Sequence, residues 1–388
     1  MALRLNYWLC SATFLACLAC TLVATRPLYA QSARTRETPR GVSGASPEGI
    51  EPTKLPWHDT YLYWDHAVTA ATLGVGQDYL TRNPLYEMTI GFRPRYYLRE
   101  NERSSISVRG DLGVVTERTN SDTTSHQGEW SATDFEFWGS FAYKLRESKG
   151  DLTELAIRIP RLLLPTSKVS YDSGKILGLG VRVGAREEVV LNGRGATWFP
   201  SIELLGKIDY GYQFSKSEVP VNGALERIRM GIDGRSVVSD QLGGATLAQH
   251  AAAFGVAAWA HVHQRLNWIT TFELRSAWKY PVSHEAQICG VVLTGCTQAG
   301  GIADPQTRSA LTYFQSEVWG RLTDTLELTF GYANLASQLA PDGRRRSMFY
   351  SPDARFYLTL NVYLDHLYVN LAPGKRQSAS LANEPRTP

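Results

Sequence analysis

The stretch FYLTLNVYLD, residues 356–365, sets Phe356, Leu358, Leu360, Val362 and Leu364 against Tyr357, Thr359, Asn361, Tyr363 and Asp365. A period of two sends successive side chains to opposite faces of a strand, so one face of this segment is apolar and the other polar. Upstream, Leu326, Leu328, Phe330 and Tyr332 alternate with Glu327, Thr329, Gly331 and Ala333. Farther upstream, Ile202, Leu204, Gly206, Ile208, Tyr210, Tyr212 and Phe214 alternate with a set that contains Glu203, Lys207, Asp209 and Gln213.

The same pattern recurs near 68–80, 86–98, 105–118, 133–146, 154–164, 176–190, 253–264, 267–280 and 311–323, which predicts twelve strands. Most of these runs have 11 to 16 residues. Globular strands usually stop near 5 or 6, whereas about 9 to 11 tilted residues cross a bilayer. Connector lengths alternate as well. Segments 81–85, 119–132, 165–175, 215–252, 281–310 and 333–355 join one set of strand ends, and the mostly shorter segments 99–104, 147–153, 191–200, 265–266 and 324–325 join the other. Long loops outside and short turns inside follow from a periplasmic N-terminus.

These dyad segments and connector lengths resemble those of bacterial outer-membrane β-barrel proteins, porin-like and channel-like, across residues 66–371. The resemblance is to their architecture and to no particular family. It implies an all-β fold: a closed antiparallel up-and-down transmembrane β-barrel of 12 strands, or of 14–16 if segments 215–252 and 281–310 hold further strands. Aromatic residues fall where interfacial girdles belong, with Trp57, Trp64, Tyr96, Phe199 and Trp268 near inner ends. Tyr79, Tyr86, Trp130, Tyr212, Phe214, Trp278 and Phe356 lie near outer ends. Many such barrels finish on an aromatic residue; here a polar tail, 372–388, follows Leu371.

The N-terminus agrees with export. Residues 1–30 carry Arg4, an apolar stretch from Leu9 to Ala24 and a small residue at Ala30, the layout of a cleaved signal peptide. Residues 31–65 read as a flexible periplasmic leader, rich in Pro, Ser, Gly and charge as far as residue 56. Cys10, Cys17 and Cys20 leave with the signal, and the remaining pair, Cys289 and Cys296, is expected to form one disulfide in an oxidising compartment. With 40 Lys+Arg against 37 Asp+Glu, the chain has no field that would attract nucleic acid. Its 43% hydrophobic content excludes a disordered chain.

The polar faces carry both signs of charge. Arg93, Arg95, Arg109, Lys144, Arg182, Arg186, Lys207, Arg275 and Arg321 are interspersed with Asp111, Glu136, Glu203, Asp209, Glu273 and Glu317, and His261 and His263 join them. A basic residue facing lipid near the midplane costs about 2–4 kcal/mol, so these positions are expected to line a lumen. Two readings compete there: a wet pore for polar, anionic or saccharide solutes, extending to export of saccharide polymer, or an ion-pair network that plugs a structural or adhesive barrel. The partners expected are outer-membrane lipids, the outer-membrane assembly machinery and a polar cargo.

A hydrolase of lipid or protein is the remaining alternative. His126 and His284 sit beside Ser125 and Ser283 without a Gly-x-Ser-x-Gly elbow, so no catalytic residue is assigned. Asp65-His66 and Asp365-His366 are expected to meet as a network at the seam between first and last strands. No cofactor is implied, and no metal site, because His261 and His263 lack an evident third ligand.

Overall fold

The computed structural model describes residues 55–75, 85–119, 127–148, 151–191, 198–216, 218, 227–230, 236–239, 247–263, 265–280, 287–289, 296–298, 308–337 and 346–371. The signal, most of the leader and the polar tail lie outside the described residues, as do Tyr79, His126 and His284.

In chain order the strands are β1 (Tyr61–Thr69), β2 (Tyr86–Arg93), β3 (Arg95–Glu100), β4 (Ser104–Glu117), β5 (Trp130–Ala132), β6 (Phe135–Ser148) and β7 (Asp151–Leu164). After the one-turn helix α1 (Lys168–Asp172) come β8 (Lys175–Val190), β9 (Ser201–Ser215), β10 (Arg227–Met230), β11 (Ser236–Ser239), β12 (Ala248–His263) and β13 (Leu266–Lys279). The chain continues through β14 (Gln287–Cys289), β15 (Cys296–Gln298), β16 (Arg308–Arg321), β17 (Leu326–Ser337), β18 (Arg355–Tyr363) and the helix α2 (Leu364–Leu371).

Each long strand pairs antiparallel with its neighbours, and β1 pairs with both β2 and β18, so the sheet closes. β2 and β3 are one crossing interrupted at Pro94, which has no N–H to give the ladder. The Pro94 carbonyl still accepts from Gly110 at 3.0 Å. The ring therefore has 12 strands. Segments 215–252 and 281–310 do hold extra strands, but these pair only with each other, β10 with β11 and β14 with β15, and add nothing to the wall. In the second hairpin the register sets Cys289 opposite Cys296.

Closure leaves no sheet edge, which is the condition for a sheet to cross a bilayer. The burial pattern is inside-out relative to a soluble protein. Glu203 is fully buried, while Leu98 and Phe330 are 64% and 58% exposed. Leu145 and Ile159, also outward, are each 60% exposed. An apolar exterior of this extent does not persist in water, and it defines a membrane-spanning surface.

The first and last strands depart from the sequence expectation. The first strand occupies 61–69 rather than 68–80, so the wall begins before residue 66. Its inward positions, Tyr61, Tyr63, Asp65, Ala67 and Thr69, include only one charge, and the alternation there is of orientation more than of polarity. The last strand stops at Tyr363, where the chain turns into α2 and the Leu364 N–H bonds the Thr60 carbonyl at 2.9 Å.

Candidate functional site

Among the described residues, the inner wall carries a dense set of charged side chains. In one sector, Arg95 stands in register with Arg109, Arg109 with Trp138, and Trp138 with Arg161. One step along the strands, Arg158 stands opposite Arg182 and Arg182 opposite Asp209. Acids answer some of these cations. Arg93 Nε donates to Asp111 at 2.9 Å and its Nη1 to the Tyr61 hydroxyl at 2.6 Å. Arg161 donates to Glu136 at 3.0 Å, and Arg182 pairs with Asp209. Arg95 reaches Asp59 at 2.6 Å and lies over the Tyr97 ring at 4.1 Å. Arg109 Nε has no hydrogen-bond partner among the described residues.

Around the wall, Arg186 bridges Glu154 and Glu203 at 3.2 Å each. Lys207 meets Glu273 at 2.6 Å, and Arg275 also bonds Glu273, at 2.7 Å. Glu317 accepts from the Tyr357 hydroxyl at 2.6 Å and from Gln315 at 2.8 Å. Arg321 stands in register with Glu327, which accepts from Asn361 at 2.9 Å. Lys144 stands in register with Glu154.

Several of these contacts join strands that are not neighbours, and a small residue marks each crossing point. Tyr63 reaches Asp111 at 3.1 Å over Gly91, Lys207 reaches Glu273 over Gly255, and Tyr357 reaches Glu317 over Gly331. A Cβ at Gly91 or Gly331 would fall 2.1 or 2.2 Å from the tyrosine ring above it. The polar network therefore lies along the wall, each of these links spanning at most one intervening strand.

Sequence reasoning missed Arg161, Glu154 and Glu188. Period two puts Arg158 and position 161 on opposite faces, but a register shift between Arg158 and Arg161 turns both inward, with Ile159 and Pro160 exposed outside. Pro160 inside a strand was the available signal. Glu154 and Glu188 share the parity of Arg158 and Arg186, so their faces were legible.

Two expectations about histidine are corrected. A register shift between His261 and His263 breaks the alternation, and His263 packs edge-on against exposed Trp198, 4.9 Å between centroids. The seam network does not form as expected. β1 and β18 do pair, but Asp65 lies opposite Thr359 and bonds it, His66 meets the Tyr86 hydroxyl at 2.7 Å, and Asp365 accepts from the Asp59 N–H at 3.3 Å. Register separates the two Asp-His pairs along the strands.

A closed ring of 12 antiparallel strands, apolar outside and ionised within, defines a transmembrane β-barrel of the bacterial outer-membrane class, and the outer membrane is its location. No protein-family model and no curated protein matches the sequence. Among solved structures, the chain is similar to an outer membrane channel from Pseudomonas putida F1, at 12% identity and a TM-score of 0.44, over 81% of this chain and 100% of that one. It is similar to the translocator domain of the autotransporter NalP from Neisseria meningitidis, at 7% identity and a TM-score of 0.31, over 78% and 86%. LpxR from Salmonella typhimurium gives 6% identity and a TM-score of 0.33, over 78% and 99%.

Proposed function

We propose that the barrel is a channel whose inner wall favours polar, anionic solutes. The observation that carries this reading is the placement of two arginine couples, Arg95 with Arg109 and Arg158 with Arg182, directly opposite one another on neighbouring strands. Like charges set opposite each other destabilise a sheet, and an anion in the lumen relieves the repulsion. Asp59 pairs with Arg95 and Asp209 with Arg182. Trp138, between Arg109 and Arg161 in register, is buried with the Arg158 guanidinium 5.9 Å from its ring. Acidic saccharides, single or polymeric, carry such anionic groups. The course of the ion pairs described above along the wall supports a lumen.

The test is the current through a planar bilayer holding the purified barrel. A stable open conductance with a zero-current potential favouring chloride over potassium is expected. Replacing Arg109 and Arg158 together by Ala should move that potential toward cations. An electrically silent barrel at every voltage, or a selectivity indifferent to the double replacement, would overturn the reading.

A further inference from the structure

We propose that Glu188, Glu203 and His261 form a binding site for one divalent transition-metal ion of the zinc type, at the short-connector mouth of the barrel. Their ligand atoms all lie within 4.8 Å of one another. They come from the ends of three adjacent strands, β8, β9 and β12, and Glu188 stands directly opposite Glu203. One imidazole and two carboxylates, with water completing the shell, is a donor set that suits zinc.

The surroundings orient these ligands. His261 Nδ1 lies 2.6 Å from the Asn267 side-chain oxygen, which can only accept, so Nδ1 carries the proton and Nε2 is turned toward Glu203 Oε1 at 2.9 Å. A ring N–H held by an oxygen acceptor is the usual support of a metal-bound histidine. Arg186 Nη1 holds the other carboxylate oxygen, Oε2, at 3.2 Å and leaves Oε1 for an ion. Behind the imidazole stands Trp259, 1% exposed and packed with Ile269 and Trp319, which fixes the ring from the wall side.

Charge points the same way. Two carboxylates directly opposite one another repel. Arg186 pairs with Glu154 and Glu203, Lys144 stands in register with Glu154, and Glu188 stands opposite Glu203. Without metal, His261 Nε2 faces Glu203 Oε1 at 2.9 Å. Metal ligands bind in their deprotonated form, so occupancy of the site is expected to fall in acid.

The site is tested on the folded, full-length mature barrel in detergent. Zinc is titrated by calorimetry at neutral and acidic pH, and cobalt by its visible ligand-field absorption. One ion per barrel, bound more weakly in acid, is expected. Glu188→Gln and His261→Ala should each weaken binding by at least about tenfold. Asn267→Ala, which touches no metal, should weaken it by about ten- to a hundredfold, with recovery in Asn267→Asp. Heat-modifiable gel mobility verifies that each variant is folded. Absence of stoichiometric binding to the folded barrel, or wild-type affinity in both Glu188→Gln and His261→Ala, would reduce the cluster to an ion pair and overturn the proposal.

Discussion

Lys207 on β9 and Glu273 on β13 stand 2.6 Å apart although β12 runs between them, and they meet above Gly255, whose missing side chain leaves the passage open. Tyr357 and Glu317 meet over Gly331 in the same way. Inward charges are thus satisfied two strands away along the wall.

That arrangement predicts an order of damage. A Cβ at Gly255 would meet the flexible Lys207 stem at 2.8 Å, and at Gly331 the rigid Tyr357 ring at 2.2 Å. Gly331→Ala should cost about 2–3 kcal/mol and Gly255→Ala about 1 kcal/mol. Gly206→Ala, with nothing within 4 Å, should be nearly neutral. Urea unfolding in detergent measures all three, and an equal response at Gly206 and Gly331 would contradict the packing.

Glu136 is 5% exposed and held by Arg161. Removing one partner strands a desolvated charge, so Arg161→Ala should cost about 3 kcal/mol, whereas the pair change Arg161→Met with Glu136→Gln should cost much less. Equal losses in the single and double variants would show that the pair is uncoupled.

The direction of the wall is open to a direct check. Leu274, near the middle of β13, is 46% exposed on the outer face. Leu274→Arg should destabilise the barrel by about 2–4 kcal/mol in lipid, the cost of a basic side chain near the bilayer midplane. A neutral result would place that face in water.

Ahead of β1, Asp59 is held by Arg95 at 2.6 Å and by the Tyr97 hydroxyl at 2.8 Å. Burial pushes the Asp59 carboxyl up, but the Arg95 charge, with His58 and the Tyr97 hydroxyl, outweighs it and leaves the group below the ordinary aspartate range. A depressed folded value means that the stabilisation is full above the unfolded pKa, about 3.9, and disappears as pH falls through the lower folded value. Amide exchange of residues 55–60 should therefore rise in strong acid, and in Asp59→Asn it should already be raised at neutral pH. Protection of these amides that is insensitive to the substitution would exclude the clamp.

Intact-mass measurement tests the export reading at both ends of its argument. The purified protein should begin at Gln31 and gain two hydrogens on reduction, with Cys289 and Cys296 the only thiols then alkylated. A retained N-terminus or two free thiols before reduction would count against it.

Residues 356–365 suffice to establish strand, face and period, because side-chain orientation in a sheet is a local property of the backbone. Repetition of that period at bilayer-spanning length gives the barrel, and the parity of each run gives an interior face for residues such as Arg186, Lys207 and Glu273. The sequence alone determined this much. Parity fails where the ladder slips, as at Ile159-Pro160 and between His261 and His263, since one extra residue reverses the face of everything beyond it. Only the tertiary structure decided register. Register is a relation between strands up to hundreds of residues apart in the chain, and it is what sets Glu188 opposite Glu203, brings His261 to both, and keeps Asp65 away from Asp365.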